Sequence, residues 1–156
     1  MKVFVDIPWG KHLCFLDSEK LQREAKEAVR AAAIACAAHP AVFALSVVNE
    51  IPADVVRWSG AKGVGDFIDD LVDIVKSIDP ECPCTFANFP PTEFLQSSSI
   101  DFVTFNVYLH QQKPFENYLY RLQSMAGEKP LMLGEFGVDS IREGEEKKCP
   151  FSEGLG

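Results

Sequence analysis

Short apolar runs alternate along this chain with stretches in which apolar residues recur every three or four positions, and the two periods separate strands from helices. VFVDI at 3–7 is a compact β-branched and aromatic run broken by Pro8, Trp9 and Gly10, which predicts a strand and then a loop. From Ser18, a plausible N-cap, Leu21, Ala25, Ala28, Ala32 and Cys36 recur at spacings of four and three. They form a narrow small-residue stripe suited to packing on a sheet, and His39-Pro40 stops the helix. VFALSVV at 42–48 reads as a strand buried on both faces.

A second helix is predicted over 64–78, with Ile68, Leu71, Val75 and Ile78 on its apolar face, Asp66, Asp69, Asp70 and Asp73 on its wet face and Pro80 as its stop. CTFANF at 84–89 predicts a strand, PTEFLQS one or two helical turns, and DFVTFNVYL at 101–109 another strand. Pro114 suits a first helical turn, Phe115, Leu119, Leu122 and Met125 follow the helical period, and Gly127 stands where a C-terminal cap belongs. LMLGEF at 131–136 is the last strand.

Five strands separated by four helical segments predict an α/β fold with a parallel sheet and right-handed crossovers. A doubly wound open sheet and a (β/α)8 barrel both fit that order. The first strand-to-helix turn, IPWGKHLCFLD, has no G-x-G-x-x-G, and no G-x-x-x-x-G-K-[ST] occurs anywhere, so phosphate cradles are absent. Asn49, Glu50, Asn88, Asn106, Tyr108, His110 and Glu135 all fall at the C-terminal ends of predicted strands, where barrels keep their chemistry. That crowding decides for a barrel, and a partial one, since a full (β/α)8 barrel takes about 250 residues and this chain has 156.

Composition narrows the partners. With 47% hydrophobic residues the chain can bury a single core, and a net charge of -8 argues against nucleic acid or an anionic membrane face. No apolar run approaches the roughly 20 residues that span a bilayer, and MKVFVDIPWG lacks the pattern of a signal peptide, so a cytoplasmic location as expressed is the expectation. Five cysteines at irregular spacing read as reduced thiols, with Cys82 and Cys84 entering a strand. Neither the CPC at 82–84 nor His12 and His39 completes a metal-ligand spacing, so neither metal nor cofactor is expected.

The chemistry lies in two carboxylates. AVFALSVVNEIP at 41–52 ends an apolar run on Asn49 and Glu50, and PLMLGEFGVDS at 130–140 repeats the arrangement with Glu135. A strand can simply meet water at a glutamate, but two such ends together with Asn49 and Tyr108 form a joint pattern. Glycoside hydrolysis needs such a pair, one carboxyl protonated to assist the leaving oxygen and the other ionised to attack the anomeric carbon.

VVNEIP, FNVYLH and LGEFG together resemble the clan A retaining glycoside hydrolases, especially family 2 and family 5 enzymes. The resemblance spans residues 3–140 and looks closest to a family-2-like domain found beside glycosyltransferase modules in some bacterial proteins. It implies Glu50 as acid/base, Glu135 as nucleophile, Asn49 as ligand of the sugar 2-hydroxyl, and Tyr108 as hydrogen-bond partner of the nucleophile. It also implies that the chain holds strands like the third to the seventh of a barrel. The arginine that the second strand brings to the nucleophile and the tryptophan that the eighth brings to the sugar are then not among them.

Other substrate-binding candidates follow from position. Asn106 and His110 alternate with Tyr108 along the predicted strand and should share its face. Trp9 is as fit to stack on a sugar as to pack in the core, and Trp58, in the predicted loop after Glu50, is similar. Asn88 is the weaker member of the group.

The expected function is a retaining β-glycosidase-like activity on a β-linked saccharide, weakened by the missing strands. The alternative is a non-catalytic fragment that binds carbohydrate or self-assembles. Hydrolysis of small activated esters around His110 lacks a G-x-S-x-G elbow. Five open strands should expose two edges and an apolar inner barrel wall, which predicts a homodimer through those surfaces. Residues 1–141 are expected to form the domain, and 142–156 a disordered polar tail broken by Pro150.

Overall fold

In a computed structural model that describes residues 1–137, five strands form one parallel sheet: β1 (Val3–Asp6), β2 (Val42–Asn49), β3 (Cys84–Asn88), β4 (Val103–Val107) and β5 (Leu131–Phe136). The expected boundary at 141 and the polar tail lie outside the described residues. Strand order in space equals strand order in sequence, with every neighbouring pair parallel. A doubly wound sheet reverses its order at a switch point; this one never does, and it curls as about half of a (β/α)8 barrel.

Helices α1 (Glu19–Cys36), α2 (Ala53–Ser59), α3 (Ala61–Ile78) and α4 (Gln112–Ala126) link the strands. Ser18 caps α1, its hydroxyl accepting from the Leu21 amide at 3.4 Å; the buried line of α1 is Ala25, Val29 and Ala33, and of the expected stripe Leu21, Ala28, Ala32 and Cys36 are only half-buried beside it. The face of α3 made by Val64, Ile68, Leu71, Val72 and Val75 is fully buried, and α1 packs beside it. Gly65 is needed there, since a Cβ would lie 2.4 Å from the Gln96 carbonyl oxygen where the β3–β4 connection crosses α3.

Three expectations are corrected. Residues 53–59 are helical, so Trp58 stands on α2 and not in a loop; seven residues show too little of a period to be read, and Gly60, at φ +82°, parts α2 from α3. β4 stops at Val107, because the chain turns there toward α4, so strand alternation does not carry on to His110.

The inner wall is also only partly apolar, since Ala44 and Ala87 share it with polar residues. Leu45, Val47, Cys84 and Phe86 face the helices, which leaves Ser46, Thr85 and Thr104 on the concave side by alternation. All three are buried. The Thr85 hydroxyl donates to the Phe102 carbonyl at 2.7 Å and meets the Thr104 hydroxyl at 3.1 Å, while that of Ser46 donates to the Val48 carbonyl at 3.0 Å. One exposed apolar cluster sits near the strand N-termini, where Phe102 makes ring contacts with both Phe4 and Phe43, the latter 47% exposed. No helix among the described residues is long and apolar enough to cross a membrane.

Candidate active site

The C-terminal ends of the strands gather Asp6 and its loop, Asn49 and Glu50, Asn106 and Tyr108, and Glu135 at one rim. β2 ends in a constrained turn. Glu50 has φ +46°, a left-handed conformation that is uncommon for a side chain of this size. Its N–H donates to the Ala87 carbonyl at 2.8 Å, which ties the turn to β3. The Asn106 amide nitrogen donates to Asn49 Oδ1 at 2.9 Å and to Glu50 Oε1 at 2.8 Å, reaching across from β4. From the other side Lys11 Nζ donates to the Asn49 carbonyl.

Lys11 went unnoticed in the sequence because a loop residue has no period to betray it. Its position five residues past the end of β1, on the rim where a barrel keeps its site, was the available signal. Burial lowers the pKa of its ammonium, opposed by the carboxylates of Glu50, Asp6 and Glu135. It brings positive charge into an otherwise acidic rim.

Glu135 is held differently. Tyr108, the first residue past β4 and 55% exposed, donates its hydroxyl to Glu135 Oε2 at 2.8 Å. That bond, and secondarily burial and the charges of Glu135 and Glu50, raise the phenol's pKa. Asn106 is paired in register with Glu135 on the neighbouring strand. β4 therefore stands between the two carboxylates, with Asn106 bonded to one and Tyr108 to the other.

The remaining candidates lie elsewhere. Asn88 shares the helix-facing side of β3 with Cys84 and Phe86. Its amide nitrogen donates to the Thr92 and Leu95 carbonyls, and its oxygen accepts from the Phe89 amide and the Thr92 hydroxyl, so it pins the β3–β4 connection. Trp9 packs edge-on against Phe15 (5.0 Å between centroids) and Phe67 (5.9 Å), and its indole N–H donates to the Val47 carbonyl at 2.9 Å. That is the core alternative of its two readings. Trp58, 72% exposed, donates to Asp17 at 2.6 Å. His110 is exposed beyond β4. Among the described residues no group of three or more histidines, cysteines and acids is arranged to hold a metal. The Cys84 thiol is buried, which pushes its pKa up to about 12 and makes it a poor nucleophile.

The family model for the glycosyl hydrolases family 2 TIM barrel domain matches residues 12–150. The chain belongs to that family. Among solved structures, the β-glucuronidase from Ruminococcus gnavus in complex with D-glucuronic acid superposes with a TM-score of 0.65 at 17% identity, over 78% of this chain and 22% of that one. The same enzyme with D-glucaro-d-lactam gives 0.66 at 18% identity, over 81% and 23%. These likenesses establish the fold, a family 2 barrel of which this chain spans under a quarter of the neighbours' length. No curated protein sequence matches the chain.

Proposed function

We propose that the chain is the catalytic half of a retaining β-glycosidase site, with Glu135 as nucleophile and Glu50 as acid/base. The observation that carries this reading is β4 serving both carboxylates, Asn106 bonded to Glu50 and Tyr108 to Glu135. In the first step a Glu135 oxygen bonds to the anomeric carbon while its bond to the leaving oxygen breaks and the Glu50 proton passes to that oxygen. In the second, Glu50, now ionised, takes a proton from water as the water oxygen bonds to the anomeric carbon and releases Glu135. Retention calls for carboxyls about 5 to 5.5 Å apart. Asn49 is suited to the sugar 2-hydroxyl, since its neighbour Asn106 already fixes its amide.

The experiment is chromophore release from a panel of aryl β-glycosides, with a β-glucuronide included because the structural neighbours are β-glucuronidases. Turnover by the wild type that Glu135→Ala abolishes supports the assignment. Equal silence of wild type, Glu50→Ala and Glu135→Ala, all folded, rejects it.

A specific observation favours a second reading, a non-catalytic carbohydrate-binding or self-assembling module. Glu135 and Tyr108 are exposed on the open flank of the sheet, at its last strand. The free edges of β1 and β5 and the phenylalanine cluster around Phe43 would, in a chain of these residues alone, be covered by a second copy. Light scattering tests that pairing, and a monomer in dilute solution rejects it.

A further inference from the structure

Asn106 is only 2% exposed, yet one of its polar atoms has no partner. Its amide nitrogen spends both hydrogens on Asn49 Oδ1 and Glu50 Oε1, and its Oδ1 is a buried acceptor with no hydrogen bond. Buried orphan acceptors are uncommon in folded proteins and are worth explaining one by one. The reason lies on the adjacent strand. A Cβ on Gly134 would sit 2.8 Å from Asn106 Oδ1 and 2.9 Å from Thr104 Cγ2. The amide can lie flat against β5 only because residue 134 has no side chain.

We propose that Gly134 is the seat of a positioning device: it admits the Asn106 amide in the one pose that holds Glu50 Oε1 and Asn49 Oδ1 together. The device runs from β5 through β4 to β2, and it places the Glu50 turn by contacts that touch neither the anomeric carbon nor the leaving group. Asn106 is thereby a positioning residue and not a sugar ligand. The glycine next to Glu135 acts on the other carboxylate, across the strand between them. Reversing the amide would turn its oxygen toward two other acceptors, Asn49 Oδ1 and the Glu50 carboxylate, so an ionised Glu50 favours the observed pose.

The kinetic arm of the test rests on Glu50 being the acid/base; the spectroscopic arm does not. In side-chain amide 15N–1H spectra, the Asn106 pair is identified by its absence from Asn106→Ala. It is expected to be displaced from the free-asparagine position in the wild type, and to return toward it in both Glu50→Ala and Gly134→Ala. On the substrate found in the glycoside panel, Gly134→Ala and Asn106→Ala should each lower kcat by about 100-fold, as small misplacements of reacting groups do, with KM changed less than about twofold. The double variant should be no worse than either single one, since without the Asn106 amide the added methyl meets only the Thr104 methyl, which has no bond to either carboxylate.

The proposal is overturned if Gly134→Ala leaves the Asn106 resonances at their wild-type position, or if the losses in the double variant multiply. Gly134→Ser, with a similar methylene, serves if the alanine variant does not fold, and should move the resonances in the same direction. If no variant or wild type hydrolyses any glycoside while the Asn106 pair still responds to Glu50→Ala and Gly134→Ala, the device stands and the glycosidase reading falls.

Discussion

The two carboxylates of the rim are held in opposite ways. Glu50 sits in a left-handed turn fastened by the Ala87 carbonyl, the Asn106 amide and, through Asn49, the Lys11 ammonium. Glu135 is an exposed residue on the last described strand whose side chain, among the described residues, bonds to an exposed tyrosine. Strain persists only where the surroundings over-determine it, and among the described residues Glu50 has bonds from two sides while Glu135, on the last strand, has a neighbouring strand on one side. Among the described residues the Glu50 side of the rim is thus the more firmly fixed, and the Glu135 side the looser.

The largest expected effect that would break this comparison is Lys11→Met. It removes the bond to the Asn49 carbonyl and a cation from the acidic rim, and should lower kcat by about 100-fold through displacement of the Glu50 turn. Steady-state kinetics measure it, and a loss confined to KM would mean that Lys11 contacts substrate instead. Tyr108→Phe, acting on the looser carboxylate in an exposed setting, should cost only about tenfold, the worth of one hydrogen bond to a charged group. If Tyr108→Phe proves the costlier change, the order of the two halves is reversed.

Stability sharpens the contrast. Glu50→Gly should be about 1 kcal/mol more stable than Glu50→Ala, since both lose the Asn106 bond and glycine alone takes positive φ without strain. Glu135→Gly should be roughly 0.5 to 1 kcal/mol less stable than Glu135→Ala, because glycine weakens a strand. Thermal melts of the two pairs test both signs.

The smallest effect concerns Tyr108. Its hydroxyl bonds to the Glu135 carboxylate while protonated, so that bond is lost as pH rises through the raised phenolic pKa. Glu135→Ala should bring this ionisation to lower pH in an ultraviolet titration, whereas Glu50→Ala should move it less.

The barrel was legible because five apolar runs and their polar ends obey one rule of position, and because the missing glycine motifs removed the rival sheet. Glu50, Glu135 and their neighbours Asn49 and Tyr108 were legible as a joint pattern. Asn88 was misread although alternation along CTFAN puts it beside Cys84 and Phe86, on the side away from the rim. The same alternation in VFALSVV separates Ser46 from Leu45 and Val47, so a strand buried on both faces need not be apolar on both. Trp9 could not be resolved without Phe15 and Phe67, which approach it from later in the chain. The role of Gly134 was invisible in the sequence, since it exists only as a distance between neighbouring strands.

β4 has one more consequence. Asn106 and Tyr108 are two residues apart on one backbone, and each grips a different carboxylate. A slide of this segment along its neighbours would drag both grips the same way, so the gap between the acids is tied to the two-residue step from the end of β4 into the turn that follows it.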